Sequence, residues 1–314
     1  MVFEYTEKIS KQIPRVLRDI LGLKVKSISR VKDGEVNYNF RVNTDDEPVI
    51  MRVFRYEFWP REETLRLVEE KLEELGIKQS KIIHFDNSNK YFPNGFMIAE
   101  WIEGVSGKKA IKLKLTTEKE VIEKTAKILR KVHSIQFKKF GTLPFDQRSK
   151  GVDDFSDWVL NFDGENRFER LTEKGLVSKE LINDARGKLQ VFLGRIDFGI
   201  KPVMVHGDAT PENIIWTKED LVLVDWDSVK ATSWSYDLAW LTYWYDWQVN
   251  KVLSWFLKGY GVSNINLNEF RLLERIFHLM LALKLLPYYA FDIQDKEKLN
   301  SEIKKLERFL EKSS

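Results

Sequence analysis

The stretch VFEYTEKISKQIPRVLRDI is amphipathic and charged, and it predicts a first helix over residues 3–22. The pattern then changes. VKSISRVKD, GEVNYNFRVNT and EPVIMRVFR are short and rich in β-branched and aromatic residues, and Asp33-Gly34 and Asp45-Asp46 break them. They predict a three-stranded antiparallel meander. Pro60 opens PREETLRLVEEKLEELGI, a helix that Gly76 ends. KIIHFD and YFPNGFMIAEWI predict two more strands around a turn at Asn87–Asn89. Residues 1–100 therefore read as a five-stranded antiparallel sheet with one helix inserted after its third strand.

Beyond Gly104 the spacing is helical. Val121, Ile122, Ala126, Leu129, Val132 and His133 follow one another every three or four positions, and Thr117 with Glu120 forms a capping box at the start. Residues 153–172 and 178–196 predict further helices, and from Tyr236 onward the pattern is helical again. Between them lies a short strand-turn-strand stretch. FHLMLALKLLPYYAF is apolar, but it carries Lys284 and Pro287 cuts it, so it reads as a buried helix too short for a membrane span. The expected fold class is α+β. A β-rich N-terminal lobe (1–100) is joined by a short tether to a mainly helical C-terminal lobe (105–314), and a cleft between lobes is a common place for a ligand.

Composition narrows the classes. The chain has 314 residues, 43% of them apolar, which is ample for two cores. Its 51 Lys and Arg against 48 Asp and Glu give a net charge of +3, with the signs mixed along the chain. Without a basic stripe, nucleic acid is not an expected partner. There is no cysteine, which removes disulfides and thiolate chemistry and suits a reducing compartment. The N-terminus lacks the apolar stretch of a signal peptide. We expect a cytoplasmic protein that is not held at a membrane.

Candidate chemistry concentrates in VMVHGDATPENIIWTKEDLVLVDWD, residues 203–227. Asp208, Asn213 and Asp225 suit phosphoryl transfer. That reaction needs a carboxylate to orient the attacking hydroxyl, and hard oxygen donors for Mg²⁺ under the phosphates. On this reading Asp208 faces the acceptor, while Asn213 and Asp225 hold the metal.

HGDATPEN resembles the His-Gly-Asp-x-x-x-x-Asn catalytic loop of the aminoglycoside phosphotransferase and choline kinase superfamily, small-molecule relatives of the protein kinases. VDWD is similar to that family's metal-binding segment, and SYDLAWL to the helix start that follows it. The resemblance implies a bilobal, protein-kinase-like fold, with residues 97–104 as the hinge, and a kinase that uses ATP or GTP and Mg²⁺. It implies Asp208 as catalytic base, Asn213 and Asp225 as metal ligands, and Asp227 as a second acidic position assisting the metal. His206 would be structural, and Asp237 would cap its helix or brace the loop. In the N-terminal lobe, Arg52 stands where the family places a basic residue that contacts the nucleotide phosphates. Its carboxylate partner is expected from the next helix, at Glu62, or at Glu63. Gly34 and Asn37 belong to the turn that covers the phosphates. Ile98 lies behind the purine, whose edge meets backbone groups of Ala99 and Trp101.

WLTYWYDWQ places Trp240, Tyr243, Trp244, Tyr245 and Trp247 close together. Most of them read as core at helical spacing, with one or two lining an acceptor pocket or holding a cation. DDFSDWVLNFDGEN, with Asp153, Asp154, Asp157, Asp163 and Glu165, would attract an amine, or be a solvated helix face. The acceptors implied are a sugar or amino sugar first, then an amino alcohol such as choline or ethanolamine, then an aminoglycoside. The rival from another class is a non-catalytic nucleotide-binding pseudokinase.

Overall fold

The computed structural model describes residues 2–31, 37–57, 59–161, 166–245, 249–262 and 265–311, with side chains from residue 6 onward. The elements run α1 (Val2–Leu21), β1 (Val25–Val31), β2 (Tyr38–Thr44), β3 (Val49–Val53), α2 (Glu62–Glu74), β4 (Ile82–Asp86), β5 (Phe96–Glu100), β6 (Val105–Ser106), α3 (Gly107–Lys112) and α4 (Glu118–Val132). They continue with β7 (Gly141–Thr142), α5 (Phe155–Leu160), α6 (Arg167–Glu173), α7 (Lys179–Leu193), β8 (Val203–Val205), β9 (Ile214–Trp216), β10 (Leu221–Leu223), β11 (Lys230–Thr232), α8 (Ser235–Trp244), α9 (Val249–Tyr260), α10 (Leu267–Pro287) and α11 (Lys296–Glu311). The fold is α+β. Two compact units divide the chain, residues 1–121 with 210–228, and residues 122–209 with 229–314.

In the first unit, five antiparallel strands stand in the order β1-β2-β3-β5-β4. Strand alternation sends Phe40, Met51, Val53, Phe96 and Ile98 to one face, where Ile9, Ile13, Val16 and Leu17 of α1 cover them. Met97 and Ala99 face the other way, with Phe54 and with Leu65 of α2. Arg52 falls between Met51 and Val53 and so shares that second face. A small sheet, β10-β9-β6, completes this unit.

The second unit is built around α10, whose residues from Ile276 to Leu283 are all buried. The helix is longer than expected. The α-helix runs as far as Pro287, and the chain then continues without a break as a π-helical turn over Tyr288–Ile293. The whole Leu267–Ile293 stretch is long and apolar enough to cross a membrane, yet 67% of its most apolar window is buried inside the fold. Elsewhere Thr117 Oγ1 accepts from the Glu120 N–H, as the capping box required. The helix expected over 153–172 is described as two short ones, α5 and α6. A second small sheet, β7-β11-β8, sets β8 just before the HGD loop.

Candidate active site

In the first unit the site forms around Arg52. Its guanidinium is buried, with 10% of the side chain exposed. Nη2 donates to Asp225 Oδ1 at 2.8 Å and to Asp227 Oδ2 at 2.6 Å, and Nη1 donates to Asp227 Oδ1 at 3.1 Å. Asp227 is thus gripped at both oxygens, the fork geometry that distinguishes arginine from lysine. The Asn37 amide, assigned with its oxygen toward Arg52, accepts from Nε at 3.0 Å and Nη2 at 2.9 Å. Burial works against the arginine's charge, but Asp225 and then Asp227 outweigh it and raise its pKa. Burial raises the pKa of Asp227, Arg52 opposes that, and the neighbouring Asp225 adds to it. Asp225 itself has a φ of 67°. This left-handed turn is uncommon outside glycine, though aspartate tolerates it. It lets residues two apart turn their carboxylates to one guanidinium.

Asn213 comes beside this cluster through the backbone, since the Val224 N–H donates to the Asn213 carbonyl at 3.0 Å. Two carboxylates and an amide are hard oxygen donors, the set that suits Mg²⁺. Among the described residues no three His, Cys, Asp or Glu side chains converge as a metal cluster. The donor set fits Mg²⁺, an ion that keeps several waters. The fit favours Asp225, which is 38% exposed, over Asp227, which is 7% exposed with both oxygens bonded to Arg52. Asp227 serves first as the anchor of Arg52.

The expected Arg52–Glu62 pair is not formed. Glu62 lies 3.4 Å from Arg66, one turn along α2, and Glu63 lies 3.9 Å from Arg61. Both acids face outward and are satisfied locally, while Asp225 and Asp227 lie within reach of Arg52. Gly34 lies outside the described residues. Ile98 is fully buried, and Ala99 sits in β5 paired with Ile50 on one side and Ile82 on the other. The Trp101 N–H, expected at a purine edge, donates to the Pro48 carbonyl at 3.3 Å, and its indole N–H donates to Glu103.

In the second unit the HGD loop hangs from one buried carboxylate. Asp237, 0% exposed, accepts from the His206 N–H at 2.9 Å, the Gly207 N–H at 2.8 Å and His133 Nε2 at 3.1 Å. Burial opposes its charge, but these donors, His133 first, lower its pKa. Gly207 has a φ of 84°, which lets successive N–H groups meet one carboxylate and would strain a residue with a β-carbon. Asp237 braces the loop, one of the two roles that the resemblance implied. His133 is packed in the core as its sequence setting suggested, and it also holds Asp237 while its Nδ1 meets the Tyr260 hydroxyl at 2.9 Å.

Asp208 follows this anchored turn and is half-buried. Its N–H donates to His206 Nδ1 at 3.2 Å, and Trp240 Nε1–H donates to its Oδ1 at 2.7 Å. Trp240 packs against the core, as its spacing suggested, and its indole N–H is also the partner of the proposed base; its place one helical turn after Asp237 was the available signal for that second role. Tyr236 stacks parallel to Trp240 at 6.4 Å. Lys230 is a second residue that the sequence reading passed over. It is 7% exposed and lies over the Tyr236 ring at 4.6 Å. Burial, helped by Lys284 and opposed by Asp237 and Asp208, lowers its pKa to about 7. A lysine within SVKATS, otherwise free of charge, was the cue.

The chain matches the model of the phosphotransferase enzyme family (APH) over residues 27–273. No curated protein matches its sequence. Among solved structures it is similar to a thermostable mutant of aminoglycoside phosphotransferase APH(4)-Ia in a ternary complex with AMP-PNP and hygromycin B, at TM-score 0.74 and 12% identity over 96% of this chain and 98% of that one. Spectinomycin phosphotransferase APH(9)-Ia, in complex with ADP and spectinomycin, gives 0.64 and 13% over 96% and 97%. Choline kinase LicA from Streptococcus pneumoniae gives 0.66 and 17% over 96% and 99%. At such identities these likenesses establish the kinase-like fold, and the match over most of the chain's length establishes that this protein belongs to the phosphotransferase enzyme family.

Proposed function

We propose that the protein transfers the γ-phosphate of ATP or GTP to a hydroxyl of a small, sugar-like metabolite, with Asp208 as the base. The observation that carries this is the presentation of Asp208. It is half-buried, next to a turn whose N–H groups are fixed by Asp237, and one of its oxygens is held by the Trp240 indole. A carboxylate held by a neutral donor keeps its charge available to orient an attacking hydroxyl and receive its proton. Five residues after Asp208, Asn213 begins the oxygen set that Asp225 continues. Mg²⁺ bound there would neutralise charge on the phosphates. Arg52 would orient Asp225 and meet the nucleotide's phosphates, and Asn37 would steady Arg52. Ile98, Ala99 and Trp101 would border the base, in a nucleotide-binding region spanning residues 1–100. A cytoplasmic location is part of the same reading.

The test is ADP or GDP release with and without added acceptor. Acceptor-stimulated release that is lost in Asp208→Asn, with nucleotide binding kept, supports the assignment. Near-normal turnover by Asp208→Asn ends it.

A further inference from the structure

We propose that Arg52 and a divalent cation are alternative partners of Asp225: the ion takes that carboxylate only as the nucleotide's phosphates draw the guanidinium away. The inference rests on the phosphoryl-transfer reading and adds how metal and nucleotide are coupled at the site.

A guanidinium offers five N–H groups. Those of Arg52 are nearly all committed to protein. Nε–H donates to the Asn37 amide oxygen at 3.0 Å, and Nη1 donates to Asp227 Oδ1 at 3.1 Å. Nη2, with two hydrogens, faces three acceptors: Asp227 Oδ2 at 2.6 Å, Asp225 Oδ1 at 2.8 Å and the Asn37 oxygen at 2.9 Å. Nη1 has one hydrogen beyond these. That is too few for a two-pronged grip on a phosphate, so one protein contact must yield.

Burial decides which. The Asp227 side chain is 7% exposed, and both of its oxygens are bonded to Arg52. Parting that pair would strand charge in a dry interior. Asp225 is 38% exposed and meets the arginine through Oδ1. Water can replace that contact at little cost. Asp225 is also the acid with room for a hydrated ion, and Asn213 is tied beside it by the Val224 N–H, which donates to the Asn213 carbonyl at 3.0 Å. Glu62 and Glu63 lie against Arg66 and Arg61, so neither stands ready to replace Asp225 at Arg52.

The two cations therefore call on one carboxylate. An ion placed on Asp225 beside the guanidinium meets like charge at close range, and the ion alone gives Arg52 no acceptor in exchange. A nucleotide does, because some of its phosphate oxygens can receive the fork while others bind the ion.

The experiment titrates Mn²⁺ into the full chain without nucleotide and reads the free ion by paramagnetic resonance. Arg52→Gln should bind Mn²⁺ at least tenfold more tightly than the wild type, and adding Asp225→Asn should abolish the gain. Arg52→Gln leaves Asp227 buried without its fork, so the comparison is repeated in an Asp227→Asn background, where no charge is stranded. Removing Arg52 should tighten Mn²⁺ binding there by threefold or more. Calorimetry with ATP and GTP in EDTA reads the other half of the exchange. Asp225→Asn should bind the metal-free nucleotide severalfold more tightly while Arg52 is present, and no more tightly in the Arg52→Gln background. Mn²⁺ affinity that is unchanged in both backgrounds, a gain that survives Asp225→Asn, or a nucleotide gain that is independent of Arg52 overturns the inference and leaves the kinase reading standing. If neither nucleotide binds with or without Mg²⁺, the kinase reading fails, and the Mn²⁺ titrations still decide whether Arg52 and the ion compete.

Discussion

The two units hold their carboxylates by opposite means. Around Arg52, Asp225 and Asp227 are gathered by a buried cation, with charge answering charge. Around Asp208 neutral donors take part: an indole N–H grips the proposed base, and backbone N–H groups tie its loop to Asp237. Cations occur there too, since Lys230 and Lys284 both feel the charge of Asp208. The difference follows from the tasks. Carboxylates proposed to meet a metal ion must be kept from repelling one another until it arrives, and a fork does that. A general base paired directly with an arginine would lose basicity, so a neutral donor fixes its direction at less cost to its proton affinity.

The sharpest way to break this contrast is at Asp208. Asp208→Asn keeps the shape and the indole contact but removes the base, and should lower kcat by about 10³–10⁴-fold. Steady-state release of ADP or GDP measures it, with nucleotide affinity as the control. Asp237→Ala should act on the fold as well as on rate. It strands three donors in a dry interior, and on the order of 3 kcal/mol of stability should be lost, read from denaturant unfolding.

Lys230 separates the units by pH. Its folded-state pKa, about 7, lies below that of a free lysine, 10.5. Between those values the unfolded chain holds a proton that the folded chain has shed. Stability attributable to Lys230 therefore rises with pH through that window and is lost as pH falls toward 7. The span should be on the order of 2–3 kcal/mol once relaxation is allowed for. Lys230→Met should flatten that part of the profile in urea titrations at successive pH values.

Arg52→Lys tests the first unit. A lysine keeps the charge and loses the fork, so Asp225 and Asp227 are no longer aligned, and the donor's KM should rise about tenfold. An unchanged KM would mean that the fork has no part in nucleotide binding. The smallest effect is expected from Trp240→Phe, which keeps the stack on Tyr236 and drops one hydrogen bond. A loss of about 1 kcal/mol, or roughly fivefold in kcat with the donor's KM unmoved, would fit a positioning residue.

Much of this was legible along the chain. The period-two strands, the glycine after α2, the Thr117 cap and the order of the HGD, DWD and YDLA segments follow from local spacing, and local spacing is what sequence carries. The same spacing put Asp208, Asn213 and Asp225 in one short region before any coordinates. The partner of Arg52 was not legible. Position along the chain favoured Glu62, ten residues on, whereas the tertiary structure gave the arginine to Asp225 and Asp227, more than 170 residues away. Trp240 was read as packing because its spacing is that of a core residue, and spacing says nothing of where an indole N–H points.

What the sequence determined by itself was the set of groups: one candidate base, two candidate oxygen ligands, a basic residue facing one side of a strand, and the α+β order of elements that carries them. Which carboxylate each cation meets was decided only when the chain closed. Ion pairs form between groups that burial forces together, and burial depends on contacts that local periodicity does not encode.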